Sequence, residues 1–309
     1  MIDAPSSTWF TTSPEWGWLI VLYFFVGGLA GGSYFLAALM DVFGRREDRP
    51  LARLGYYIAF PCVALSGLLL TIDLHRPMRF WHMLLERNTL EPMFKFWSPM
   101  SIGSWALLVF GFFTFVSFLA ALADEDEEPW PALRRFRMRG LQRLRPPSVL
   151  GIIIVVLGGF FGFYIAGYTG VLLAVTNRPI WSDTSLLGML FVVSAASTSA
   201  ALIMLLARRS GWTMPGLRAL ERMDGWLIVL ELVVLAAVMI SLGPVLRAWL
   251  NAWGLLLLVG VIGLGLLVPL VLSWRYSTLR EQNLTATAVL VLIGGFLLRV
   301  VIVLSSEAV

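Results

Sequence analysis

Histidine is nearly absent: His75 and His82 are the only two in 309 residues, and they stand seven positions apart between two apolar runs. A membrane-embedded haem takes axial ligands from facing helices. No apolar run here carries a histidine, so the reading is no haem. Cys62 is the single cysteine. One thiol builds no disulfide framework, no CxxC pair and no cysteine-ligated cluster, so no iron–sulfur cluster of the protein's own is expected either. Charge is scarce as well, at 14% of residues, and falls in short segments. There is no nucleophile–base set, which argues against a catalytic enzyme acting alone. Residues 1–15 hold acids but no Lys or Arg. They lack the basic start of a cleavable signal peptide, so the first apolar run is expected to be retained.

What is present is apolar surface. The chain is 59% hydrophobic, with a mean hydropathy of +0.83, far outside the balance of a soluble domain. Thirteen tryptophans suit two membrane–water interfaces. The net charge of +4 calls for no nucleic acid; the partner the apolar composition implies is the lipid bilayer.

A crossing needs about 20 apolar residues for roughly 30 Å of hydrocarbon. Eight stretches qualify, near 16–40, 52–72, 98–122, 149–172, 184–207, 224–243, 250–273 and 284–304. If the N-terminus is outside, the cytoplasmic loops hold 16 basic residues and the outer loops 6, with Arg299 inside the last span. That asymmetry predicts both termini on the outer (periplasmic) side of the cytoplasmic (inner) membrane. The expected fold is all-α, multi-pass and integral to the membrane. Its eight helices form two four-helix bundles within one domain, 1–309. Residues 1–122 and 149–172 make the first half, 123–148 an arginine-rich cytoplasmic connection facing solvent and headgroups, and 184–309 the second half. Asp41 ends span one where an interfacial residue belongs.

This topology gathers polar residues at one depth. Trp16, Trp18 and Tyr23 lie near the outer end of span one, and Asp73 at the outer end of span two. Ser98, Ser101 and Trp105 share one face of span three, and Tyr164 and Tyr168 one face of span four. The outer loop 73–97 adds His75, Arg76, Arg79, Trp81, His82, Arg87 and Lys95. A quinone pocket needs a flat apolar slot, a hydrogen-bond partner for each carbonyl and a titratable group; this set supplies all three. The alternative reading is an aromatic belt, with Asp73 capping a helix or paired to a loop arginine. Gly27, Gly28, Gly31 and Gly32 form two overlapping GxxxG patterns, which permit close helix approach in lipid.

Four stretches carry a resemblance: Val26-Gly-Gly-Leu-Ala-Gly-Gly32, Asp73-Leu-His-Arg-Pro-Met-Arg-Phe-Trp-His82, Trp97-Ser-Pro-Met-Ser-Ile-Gly-Ser-Trp105 and Tyr168-Thr-Gly-Val-Leu-Leu-Ala-Val-Thr-Asn-Arg-Pro-Ile-Trp181. They resemble the NrfD/PsrC family, the membrane subunits of polysulfide reductase-type enzymes, most strongly over 16–182. The resemblance implies a non-catalytic subunit of a quinone-linked oxidoreductase complex that exchanges electrons with menaquinone or ubiquinone. It also implies a ferredoxin-like iron–sulfur subunit on the outer face and a molybdopterin catalytic subunit beyond it. Carried onto this sequence, it makes Tyr168 a partner of one quinone carbonyl and Asp73 the acid near the site. Tyr23 stands where the polysulfide reductase type has a histidine. Ser101 and Trp105 complete the expected quinone-binding set.

Proton transfer is expected of Asp73 and His82, since an unperturbed imidazole titrates near neutrality. Arg76, Arg79 and Trp81 are the expected docking residues, the arginines pairing with Asp73 or with an acidic partner surface. Glu231 lies two turns inside the cytoplasmic start of span six, and Arg299 a turn or so from the outer end of span eight. A lone charge at mid-bilayer costs about 2.5–3.5 kcal/mol, so both should face the bundle interior with partners. They read as stepping stones for protons or as a structural pair. Two rivals remain: a secondary transporter, disfavoured by the few intramembrane acids and the lack of an inverted repeat, and a passive anchor without a quinone site.

Overall fold

The computed structural model describes residues 16–123, 139–209, 215–275 and 280–306. The N-terminal segment, the acidic run from Asp124 to Glu128 and the arginines 134, 135 and 137 lie outside the described residues. The long helices are α1 (Trp18–Phe43), α2 (Arg49–Asp73), α3 (Pro99–Leu122), α4 (Val149–Ala174), α5 (Leu187–Arg209) and α6 (Pro215–Leu242). The seventh apolar run is composite: α7 (Ala252–Leu255), a π-helical stretch (Leu256–Leu267) and α8 (Val268–Arg275). The last helix is α9 (Arg280–Ser305). Eight of these units are long and apolar enough to cross a membrane, and no named strand occurs among the described residues.

Local chemistry sets the helix starts. Pro99 occupies the first turn of α3, where its missing N–H costs nothing. The Ser98 side chain accepts from the Ser101 amide at 3.4 Å, and Ser148 likewise accepts from Gly151 at 2.9 Å to start α4. At the end of α2, His75 adopts φ +55° and donates its amide to Ile72 O, a left-handed stop more often given to glycine. Its Nδ1 lies 2.7 Å from Asp73 O. His75 is thus explained as a helix terminator.

α6 begins nine residues before the apolar run that marks it. Leu217, Leu220 and Asp224 are buried on one face of this extension, while Arg218 and Arg222 are exposed on the other. An amphipathic turn of this kind has no hydropathy signal, which is why composition alone starts the span late.

The two halves share their core. Buried fractions of the apolar window are 72% for α1, 67% for α5 and 61% in α9, against 39% for α2, α3 and α4. The four glycines of α1 face different neighbours. A Cβ on Gly31 would meet the backbone of Gly162 and Ala166 in α4, and one on Gly32 the Ala195 carbonyl in α5. Ile20, Val21 and Phe24 join the core of the second half, while Leu36, Leu51 and Leu54 pack with Ile203, Met204 and Leu217. α1 is therefore a hub that packs against helices of both halves.

Two buried polar locks close the arginine-rich end. The Asp41 carboxylate accepts three bonds: two from Arg145 Nη2, at 2.8 and 3.0 Å, one to each oxygen, and one from Tyr56 at 3.0 Å. The Asp41 and Arg145 side chains are 1% and 6% exposed, so neither is the interfacial or solvated group that its sequence position suggests. Each desolvates because the other arrives from a distant segment. Asp48, also buried, accepts from the Gly216 amide at 2.8 Å and so places a carboxylate at the N-terminus of α6.

Candidate functional site at the loop end of the first four helices

At the opposite end, carrying residues 73–98, α1 contributes Tyr23 and α4 contributes Tyr164 and Tyr168. Tyr164 and Tyr168 are stacked, with ring centroids 5.7 Å apart and planes at 24°. Tyr23 is buried on α1, one turn before Gly27. Gly27, one turn from Tyr23, faces α2: a Cβ placed there would lie 3.5 Å from Ser66 Oγ. The Tyr168 hydroxyl donates to the Pro99 carbonyl at 2.8 Å. Its ring lies directly on Gly103, where any Cβ would overlap the hydroxyl. Tyr168 is buried and Tyr164 half-buried, so the stack runs from the interior toward the surface.

Ser101 and Trp105 are at this end too, but their bonds go to the loop. Trp105 Nε1 donates to Met93 O at 3.1 Å; Ser101 Oγ donates to the same carbonyl at 3.3 Å and accepts from the Lys95 amide at 3.0 Å. They pin residues 93–95 over the start of α3, next to the tyrosines. The rest of the loop is ordered by a 3₁₀ segment, Pro77–Met83, and by an antiparallel bridge between Leu85 and Pro92. Its surface is apolar and basic at once: Met78, Phe80, Phe94, Phe96 and Trp97 are exposed, as are Arg76 and Arg79.

Among the described residues Asp73 makes no ion pair with Arg76 or Arg79, so the pairing alternative has no geometry here. His82 lies against Trp81, centroids 3.9 Å apart, and its Nε2 is closed off from solvent without a hydrogen-bond partner. No cluster of metal-binding side chains occurs among the described residues.

A second polar array lies inside the other half. Asp224, Glu231 and Arg299 are all buried. Ser197 donates to Asp224 at 2.8 Å. Seven residues on along the same face of α6, Glu231 lies against the Ser194 hydroxyl, which in turn accepts from Arg299 Nη1 at 2.6 Å. Arg299 also donates to Gly295 O at 2.7 Å and sits over the rings of Phe191 and Phe25 at 5.2 and 5.9 Å. The expected Glu231–Arg299 pair thus has Ser194 as a common neighbour. Ser194 and Ser197 were missed by reading the sequence. Their only signal is the run of small hydroxyl residues Ser194, Ser197, Thr198 and Ser199 in an otherwise apolar helix. Gly103 and Pro99 were missed as partners of Tyr168, since nothing in their own segment points at α4.

Trp181, the last residue of the fourth motif, has a structural role. It is fully buried, donates to Ile302 O at 2.7 Å and stacks on Trp16 at 5.2 Å, tying the α4–α5 connection to α1 and α9.

Comparison with known proteins gives a consistent relationship. The family described as "Polysulphide reductase, NrfD" matches residues 10–309. One component of the polysulfide reductase of Wolinella succinogenes is 27% identical, the match spanning 84% of this protein and 82% of that component. Protein NrfD of Escherichia coli is 26% identical, with 94% and 95% spanned. A subunit of the selenate reductase of Mesobacillus selenatarsenatis is 33% identical over a shorter stretch, 31% of this protein and 20% of that subunit.

Proposed function

The chain belongs to the polysulphide reductase NrfD family, and from that premise we propose that it is the quinone-reactive membrane subunit of a multi-subunit oxidoreductase. Relatives named as single components of polysulfide and selenate reductases support one subunit among several. The observation that carries the reading is the tyrosine stack at the loop end, with a buried hydroxyl at its inner edge and a half-buried ring at its outer edge. A flat aromatic face beside a fixed hydroxyl matches what a quinone ring requires.

In this reading menaquinone or ubiquinone carries two electrons and two protons between lipid and the complex. Tyr168 and Tyr23 orient its head group, with Ser101 and Trp105 holding the loop that walls the site. Asp73 and His82 move protons at the outer side. The loop 73–97 receives a ferredoxin-like iron–sulfur subunit through Arg76, Arg79 and Trp81, and a molybdopterin catalytic subunit stands beyond it. Electrons then cross only the distance from docked cluster to ring, which is why no haem or cluster of the protein's own is called for. Glu231 and Arg299, with Ser194 as a common neighbour, form the inner part of a proton route from the cytoplasmic side. The complex resides in the inner membrane.

The test compares two electron donors in the intact complex. Tyr168→Phe is expected to cut quinol-linked turnover by about tenfold or more while leaving reduction by a soluble viologen unchanged, because viologen bypasses the membrane subunit. Equal loss with both donors, or no loss with quinol, leaves a passive anchor as the better account.

A further inference from the structure

Tyr168 has one proton to donate and two lone pairs to accept with. The proton is committed: it points at Pro99 O, 2.8 Å away. Pro99 opens α3, so its carbonyl also faces the amide of Gly103 one turn on. The Tyr168 hydroxyl and the ring carbon bearing it lie in the notch that Gly103 leaves, and a methyl group at 103 would take their place. This notch is specific to one glycine of the helix, since a Cβ on Gly111 meets nothing within 4 Å. Pro99 and Gly103 therefore orient the hydroxyl, and neither is bound to it covalently or by charge.

A hydroxyl held this way offers only lone pairs to a ligand. The ring hydroxyls of a quinol donate hydrogen bonds, whereas the carbonyls of a quinone accept only. We propose that the Pro99–Gly103 turn is a specificity element: by keeping the Tyr168 proton on the Pro99 carbonyl it makes the site hold quinol more tightly than quinone. Gly103 is then a positioning residue. For the oxidised ring to be bound by Tyr168, the O–H must swing off Pro99, and one hydrogen bond is lost in exchange for the one made. This inference rests on the reading that Tyr168 faces the quinone ring.

The test uses the full-length protein in detergent under anaerobic conditions. Quenching of its tryptophan fluorescence titrates a short-chain naphthoquinone and, separately, the same compound after chemical reduction. The quinol is expected to bind about three- to tenfold more tightly, the range of one neutral hydrogen bond. Tyr168→Phe should bind both forms with a ratio near one. Gly103→Ala, which displaces the hydroxyl from Pro99, should lower the ratio to one or below, while Gly111→Ala keeps the original ratio. A ratio of one in the unaltered protein, or a ratio that survives Tyr168→Phe, overturns the proposal. If Tyr168→Phe weakens both forms equally, the quinone site stands and the proposed preference is overturned. If the unaltered protein binds neither form, the quinone reading falls with it.

Discussion

Arg299 is a cation kept inside an apolar bundle by small, local means. Two hydrogen bonds and two aromatic faces surround its guanidinium, and the Glu231 carboxylate lies near enough to act on its charge. Ser194 accepts from the guanidinium, which stays protonated and cannot take up a proton, so Glu231 is the one group of the pair that can load and release one. Glu231→Gln keeps the shape and removes the titrating group. It is expected to slow quinol-linked turnover by about tenfold or more and to leave quinol affinity unchanged, which separates it from Tyr168→Phe. Unchanged turnover with a lowered unfolding temperature would assign Glu231 to charge balance alone. Asp224, two turns from Glu231 and bonded to Ser197, extends the array toward the arginine-rich end.

At the scale of elements, α1 decides the architecture. Its glycines let α4 and α5 approach closely on different faces, so one helix serves as the common wall of both halves. In lipid, association depends on backbone proximity and van der Waals fit more than on expulsion of water. Gly31→Ala would push α1 away from the Gly162 carbonyl and is expected to cost about 1–3 kcal/mol of stability. Gly67→Ala, whose Cβ would enter open space on α2, should change stability by less than about 1 kcal/mol. Thermal unfolding in detergent reads both. Equal effects at the two positions would mean that the α1–α4 contact is not the determinant.

For the whole molecule, the two ends differ in kind. One is sealed by buried carboxylates: Asp41 with Arg145 and Tyr56, and Asp48 on the start of α6. The other presents an ordered loop with exposed aromatics and arginines. Basic residues collect at the sealed end, so it should be cytoplasmic. A green fluorescent reporter inserted between 210 and 214 should fluoresce, and one inserted in the segment Gly243–Trp249 should not, since the fluorophore matures in the cytoplasm. The reverse pattern would turn the molecule over and place the proposed partner on the cytoplasmic face.

Span number, helical class and the glycine-rich character of α1 were legible in the sequence, because each depends on the composition of one contiguous stretch, and lipid acts on stretches one at a time. The polar residues of the loop end could be grouped by depth for the same reason. Composition carries no information about which faces meet. Only the tertiary structure placed Tyr168 on Gly103, bonded Asp41 to an arginine 104 residues away, and bonded Arg299 to Ser194 of α5. Those contacts join segments far apart in the sequence, and they are set by helix rotation and packing, which a run of apolar residues leaves open.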